Sequence, residues 1–158
     1  MTSSIDTAGT AAAPALSPAE ADCLRLLAGH MIPASAAYGV PGADDPAIFA
    51  DMMTTIGRDR AALASTLTSV DAAAGGRLAD LSRGAQADLL GRLRAQDPAP
   101  FAVVEAVVAR AYYRDDRVLR SIGMEARPPF PKGYALEQGD WTLLEPVRRR
   151  GPIHRDAV

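Results

Sequence analysis

The 158-residue sequence predicts an all-α bundle of five or six short helices, followed by a long, extended, proline-rich C-terminal segment. Three observations predict it. Helix-start signals recur at Ser17-Pro18, Asp45-Pro46, Ser82 and Asp97-Pro98, and the apolar residues after each fall at spacings of three and four. From Met124 onward, prolines and glycines become too dense for any long helix. The chain therefore divides into a leader over residues 1–16, a bundle over 17–123 and an extended segment over 124–158.

The first helix begins where Ser17 can cap, Pro18 can occupy the first helical position and Glu20 can close a capping box. Leu24, Leu27, Ala28 and Met31 then share a face, and Pro33 stops the run, which predicts a helix over Pro18 to Ile32. A turn-rich link with Gly39, Pro41 and Gly42 leads to Asp45-Pro46, where a second helix carries Phe49, Met52, Met53 and Ile56. Gly57 bends or breaks it. Leu63, Leu67 and Val70 continue the period into a third segment ending before Gly75-Gly76. Ser82 caps a fourth helix through Gln96, with Ala85, Leu89, Leu90 and Leu93 facing inward, and Asp97-Pro98 opens a fifth in which Phe101, Val104, Val108, Ala111 and Tyr112 share a side. Asp115 or Asp116 caps one short further turn, Arg117 to Ile122, because Gly123 stands where a left-handed cap belongs. The paired valines at 103-104 and 107-108 fit a helix face better than a period of two, so no stretch of this region reads as a strand.

The C-terminal segment is poor in regular structure but rich in large apolar side chains, among them Phe130, Tyr134, Trp141, Leu143, Leu144, Val147 and Ile153. They follow no sustained period and cannot form a core among themselves. Its 35 residues would reach beyond about 100 Å if extended, against a radius of gyration near 13 Å for a bundle of this size, so the segment is long enough to embrace another protein. Charge is uneven along the chain. Residues 1–57 hold six acids and one arginine, 58–109 balance at six and six, and 110–158 hold ten bases and seven acids, which predicts two electrostatically different surfaces.

Composition excludes several classes of function. With 48% hydrophobic and 23% charged residues the chain reads as an ordinary globular protein, neither disordered nor fibrous. One cysteine, Cys23, excludes an internal disulfide framework, a cysteine-rich zinc site and paired cysteines for covalent haem, and two histidines are too few for a histidine-rich metal centre. Cys23 reads as a partly buried small apolar side chain, with intermolecular pairing the other option, and His30 as a residue that favours the C-terminal end of the first helix through its dipole. No apolar run approaches a membrane span. The first fifteen residues lack a basic region, a twin arginine and an apolar block, so a cytoplasmic location is expected, or a periplasmic one if a leader was removed or a partner carries the signal. Arg148-Arg149-Arg150 is the one dense basic run, but the net charge of -2 and the absence of a flanking binding motif favour a protein interface over nucleic acid. Tyr112-Tyr113 followed by Arg114-Asp115-Asp116 reads as an aromatic pair at a helix end with a cap for the next helix, not as an acid-base cluster. No nucleophile-base-orienter set, glycine-rich phosphate loop or metal spacing is found. No catalytic, cofactor-binding or metal-binding residue is therefore assigned.

Several stretches together resemble a known family. Leu16-Ser17-Pro18 through His30-Met31-Ile32-Pro33, then Pro41-Gly42-Ala43-Asp44-Asp45-Pro46, are similar to the opening of the gluconate 2-dehydrogenase subunit 3 family. Leu81-Ser82 to Leu93 resembles the helix that follows that family's loop. The most specific stretch runs from Ala111-Tyr112-Tyr113-Arg114-Asp115-Asp116-Arg117-Val118-Leu119 through Ile122-Gly123, and the resemblance spans about Leu16 to Lys132. It implies a small, non-catalytic gamma subunit that binds a large FAD-dependent dehydrogenase of the glucose-methanol-choline type and stabilises or matures it. The FAD and the reactive groups would belong to the large chain, this chain holding no cofactor, and electrons would leave to a separate acceptor. Members of the family often carry a twin-arginine signal, which this sequence lacks. The substrate would be a sugar, glycoside or alcohol.

The residues expected to meet the partner are Tyr112, Tyr113, Phe130, Tyr134, Trp141, Leu144, Arg148 and Arg149, since large aromatic and arginine side chains dominate the energetics of stable interfaces. Two alternatives stand beside this reading: a transient chaperone-like or regulatory helical protein, and a small independent enzyme using Tyr112, Asp115 and His30.

Overall fold

The computed structural model describes residues 15–128, 133 and 138–153. Residues up to Ala126 belong to one compact unit and those from Arg127 to another. Among the described residues the regular structure is helical, with an isolated bridge between Ser35 and Val40 as the one β-type pairing.

The first unit holds six α-helices: α1 Pro18–Met31, α2 Pro46–Thr55, α3 Arg60–Ala73, α4 Arg83–Gln96, α5 Ala99–Tyr112 and α6 Asp116–Ser121. Local chemistry sets most of their starts. Ser17 accepts from the Glu20 amide at 3.3 Å while the Glu20 carboxylate accepts from the Ser17 amide at 2.6 Å, so the capping box is complete. Asp45 caps α2 by accepting from the amides of Ala47 and Ile48, Ser82 caps α4, and Asp115 caps α6 through the amide of Arg117. Helix ends are equally specified. At Gly123, with φ of 78°, the glycine amide donates to Arg120 O and the Met124 amide to Leu119 O, the paired bonds of a Schellman cap.

Between α2 and α3 the expected break is a single 3-10 turn, Gly57–Asp59, opened by the left-handed Gly57. A second 3-10 turn, Leu78–Asp80, was not foreseen; it drives Leu78 to complete burial while the Asp71 carboxylate accepts its amide at 2.8 Å.

Helix α5 is the hub and packs against α1, α2 and α3. Val104, Val107, Val108, Ala111 and Tyr112 are buried on it and form one broad apolar face. Leu24, Met52, Leu63, Leu67 and Val118 complete a continuous core and are all at most 1% exposed. The inward face of α4 differs from expectation. Leu89 is buried and Leu90 and Leu93 are half-buried, but Ala85 is exposed and the buried position beside it is Gln86.

Part of the uneven charge along the sequence is paired within the bundle. Arg110, Arg114 and Arg117, spaced four and three apart, meet Asp59, Asp51 and Asp45 in turn, a row of ion pairs that joins α5, α6 and the turn between them to α2, its N-cap and the 3-10 turn after it. Asp45 and Asp51, two acids of the early chain, thus meet bases of the later chain.

In the second unit the segment expected to be extended is partly helical. Trp141–Leu144 form a 3-10 turn that runs directly into α7, Glu145–Arg150. Two turns are short enough to fit between Gly139 and Gly151-Pro152, which is why breaker density hid them.

Candidate functional site: the C-terminal segment and the tyrosine seam

Of the eight residues expected to meet a partner, the structure brings four together in one helical stretch of ten residues, Trp141, Leu144, Arg148 and Arg149. Asp140 starts it by accepting from the Thr142 amide at 2.9 Å and the Thr142 hydroxyl at 2.6 Å, and these bonds hold its carboxyl below the usual carboxylate range. Trp141 donates through Nε1 to the Gln138 side chain at 3.3 Å, which satisfies the one polar atom of its ring and leaves the ring 62% exposed. Pro146 lies in the first turn of α7, where its fixed φ suits a helix start, and Gly151, with φ of 73°, ends it. Arg148 donates to Glu145 at 3.1 Å, and Arg149 donates through Nε to the Glu145 carbonyl. Leu143, Val147 and Ile153 are exposed alongside. Phe130 and Tyr134 lie outside the described residues.

Tyr112 and Tyr113 separate in role. Their rings meet edge to face at 5.4 Å, but Tyr112 is 5% exposed and its hydroxyl donates to the Pro41 carbonyl at 3.2 Å. Burial pushes its phenol up, reinforced by Tyr113 and Asp115. Tyr112 is a core residue that ties α5 to the link before α2, and its assignment to a partner surface is corrected by its burial. Tyr113, one step round the helix, is 53% exposed, and Ile122 and Met124 are exposed at the end of the same unit.

Arg117 completes the seam. Its guanidinium takes Asp45 at 2.8 Å and Asp115 at 2.9 Å, so one cation bridges the two aspartates that cap α2 and α6. Both carboxyls are held below the usual range chiefly by the Arg117 hydrogen bond, which burial opposes and to which the cap amides add. The stretches 41–46 and 111–123 meet in space through Tyr112 with Pro41 and Arg117 with Asp45.

The remaining candidates also resolve into structure. His30 sits in the last turn of α1 as expected, but its Nε2 lies 2.9 Å from Gln86 Oε1. Because the Gln86 amide donates to the carbonyls of Leu78 and Leu81, its oxygen must accept, which fixes the proton on His30 Nε2. Gln86 was missed because a polar residue on a mostly polar helix carries no sequence signal of burial. Cys23 is buried, and desolvation, with Asp71 adding to it, pushes its thiol up to about 12, so it stays protonated and unreactive at neutral pH. A groove of about 480 Å³ runs along α1, α4 and α5, floored by Leu27, Leu90 and Phe101 and crossed at its rim by the Arg94–Glu105 pair. Among the described residues no group of three or more acidic, histidine or cysteine side chains gathers to hold a metal, and no helix is long and apolar enough to cross a membrane.

No protein-family model, curated protein or solved structure matches this chain.

Proposed function

We propose that this chain is a non-catalytic small subunit that binds, and stabilises or matures, a large FAD-dependent dehydrogenase of the glucose-methanol-choline type acting on a sugar, glycoside or alcohol. The observation that carries the reading is the contrast between a bundle with a complete core of its own and a C-terminal stretch whose large apolar residues stay in solvent. Trp141, Leu143, Val147 and Ile153 are 62%, 74%, 54% and 78% exposed. Each such side chain gains roughly 1.5–3 kcal/mol when fully covered, so a protein surface laid over them has a ready driving force. Pro146 and the Asp140 cap hold part of the stretch in one shape before binding, which reduces the ordering cost of association.

The resemblance supplies the kind of partner. In this role the bundle is a platform, and the segment from Met124 to Arg155 lies along the flavoprotein. The FAD and the proton-transfer groups reside in the large chain, and a separate acceptor takes the electrons.

Coexpression of the full chain with the flavoprotein of the same source, followed by size-exclusion chromatography, tests the reading. A permanent subunit stays at fixed stoichiometry through the column, whereas a transient chaperone leaves its client. Deletion of residues 124–158 is expected to abolish co-elution while leaving the helical circular dichroism of the bundle largely intact. Stoichiometric co-elution after that deletion would refute the clamp.

A further inference from the structure

We infer that residues 141–150 bind as a short amphipathic rod, and that the surface receiving it is an apolar groove of a protein partner whose far end carries carboxylates. This rests on the accessory-subunit reading and adds the chemistry of the receiving surface.

The rod is four residues of 3-10 helix followed by six of α-helix, roughly 17 Å long at their standard rises. Trp141, Leu144 and Val147 are spaced by three. In a 3-10 turn residues three apart eclipse, and in an α-helix they are neighbours on one face, so the three form a ridge. Their exposures are 62%, 39% and 54%, so the whole ridge is available. Thr142, Glu145 and Arg149 hold the opposite side, where Glu145 is engaged with Arg148 and, through its carbonyl, with Arg149. An apolar ridge flanked by Thr142, Glu145 and the arginines, with Leu143 exposed beside it, matches the helix-in-groove mode, in which anchors at i and i+3 read a hydrophobic trough.

The charge at its end adds direction. Among the described residues the carboxylate that meets the three consecutive arginines is Glu145, which takes Arg148. Arg149 and Arg150 meet no carboxylate among the described residues. Cations next to an apolar anchor favour a complementary acidic rim, and they act mainly on encounter rate and orientation. The ridge with its tryptophan argues for protein over nucleic acid, since a phosphate backbone offers Leu144 and Val147 no trough.

The test measures binding of the full-length chain to the purified flavoprotein by surface plasmon resonance at low and high salt. Trp141→Ala with Leu144→Ala is expected to weaken Kd by about 100-fold, the loss typical of central anchors. Arg149→Glu with Arg150→Glu is expected to slow association by about 10-fold at low salt and to flatten its salt dependence. Helical circular dichroism of each variant checks that the bundle is intact. Wild-type binding that survives the Trp141/Leu144 change within about twofold overturns the rod and leaves the subunit reading standing. Salt-insensitive wild-type association overturns the acidic rim, as does retention on duplex DNA that the Arg149/Arg150 change abolishes without altering flavoprotein binding. No wild-type binding at all overturns both the subunit reading and the inference built on it.

Discussion

The bundle and the C-terminal segment use the same kinds of apolar residue to opposite ends. In the bundle Leu24, Leu63 and Val104 are fully covered by their neighbours. In the segment Leu143 and Ile153 are 74% and 78% exposed, although their side chains are chemically equivalent. The difference follows from periodicity: the bundle repeats its apolar residues at a helical spacing over ten to fourteen residues, so that faces meet faces. Among its described residues the segment offers one helical stretch of ten residues, the first four of them 3-10, and the ridge on it stays exposed. Apolar area that cannot close on itself is available for something else to close on it.

The sharpest way to break that comparison is to truncate one leucine in each region. Leu63→Ala, at a fully buried position, is expected to destabilise the bundle by about 3 kcal/mol in urea titrations, through lost transfer energy and the cavity left behind. Leu143→Ala is expected to stay within about 0.5 kcal/mol of wild type. Comparable losses at both positions would show that the segment is part of the folded core.

Next in size is the buried polar node. Gln86→Leu removes the donor to two carbonyls and the acceptor of His30 Nε2, and leaving these groups without partners should cost about 2 kcal/mol. His30→Ala, which leaves only the Gln86 oxygen unpaired, should cost less in the same titration.

The seam gives a smaller, pH-dependent effect. Arg117→Ala is expected to cost about 1 kcal/mol at neutral pH, since its guanidinium is partly solvated and screened. Asp45 and Asp115 titrate below their ordinary value of 3.8 in the folded state. A carboxyl depressed on folding stabilises above its unfolded pKa and loses that contribution as pH falls through its folded one. Wild type should therefore lose stability as pH falls below about 4, and Arg117→Ala should lose less across the same window. Parallel acid limbs for the two proteins would remove the seam from the account.

The smallest expected signal is a silence. With the Cys23 thiol pushed up to about 12, an aromatic disulfide reagent at pH 8 should leave the native chain unmodified and react fully once it is unfolded. Rapid reaction of the native protein would show that the bundle opens readily around α1.

The bundle was legible in the sequence because its signals are local. Ser17, Asp45, Ser82 and Asp115 cap where hydroxyl and carboxyl side chains before helical runs should cap, and Gly57 and Gly123 bend or stop the chain where a positive φ is needed. What could not be read was non-local. Nothing in the order of residues shows that Arg110, Arg114 and Arg117 would find Asp59, Asp51 and Asp45. Tyr112 and Tyr113 are adjacent and chemically identical, and only the helix turn decides that one is core and the other surface. Part of the candidate site was visible as a cluster of large apolar residues among breakers. Its ridge was not, because a 3-10 turn passing into two turns of helix leaves too short a period to detect.

The central claim is that the C-terminal segment is made to be covered by another polypeptide, and Trp141, the single tryptophan of the chain, reports on it directly. Labelling the full-length protein with fluorotryptophan gives one ¹⁹F resonance, which can be followed while unlabelled flavoprotein is added. The account predicts a solvent-sensitive resonance in the free chain, revealed by its shift in D₂O, that moves and loses this sensitivity on forming a complex of fixed stoichiometry. A resonance already protected from solvent in the free chain, or one unchanged in a complex that demonstrably forms, would contradict it.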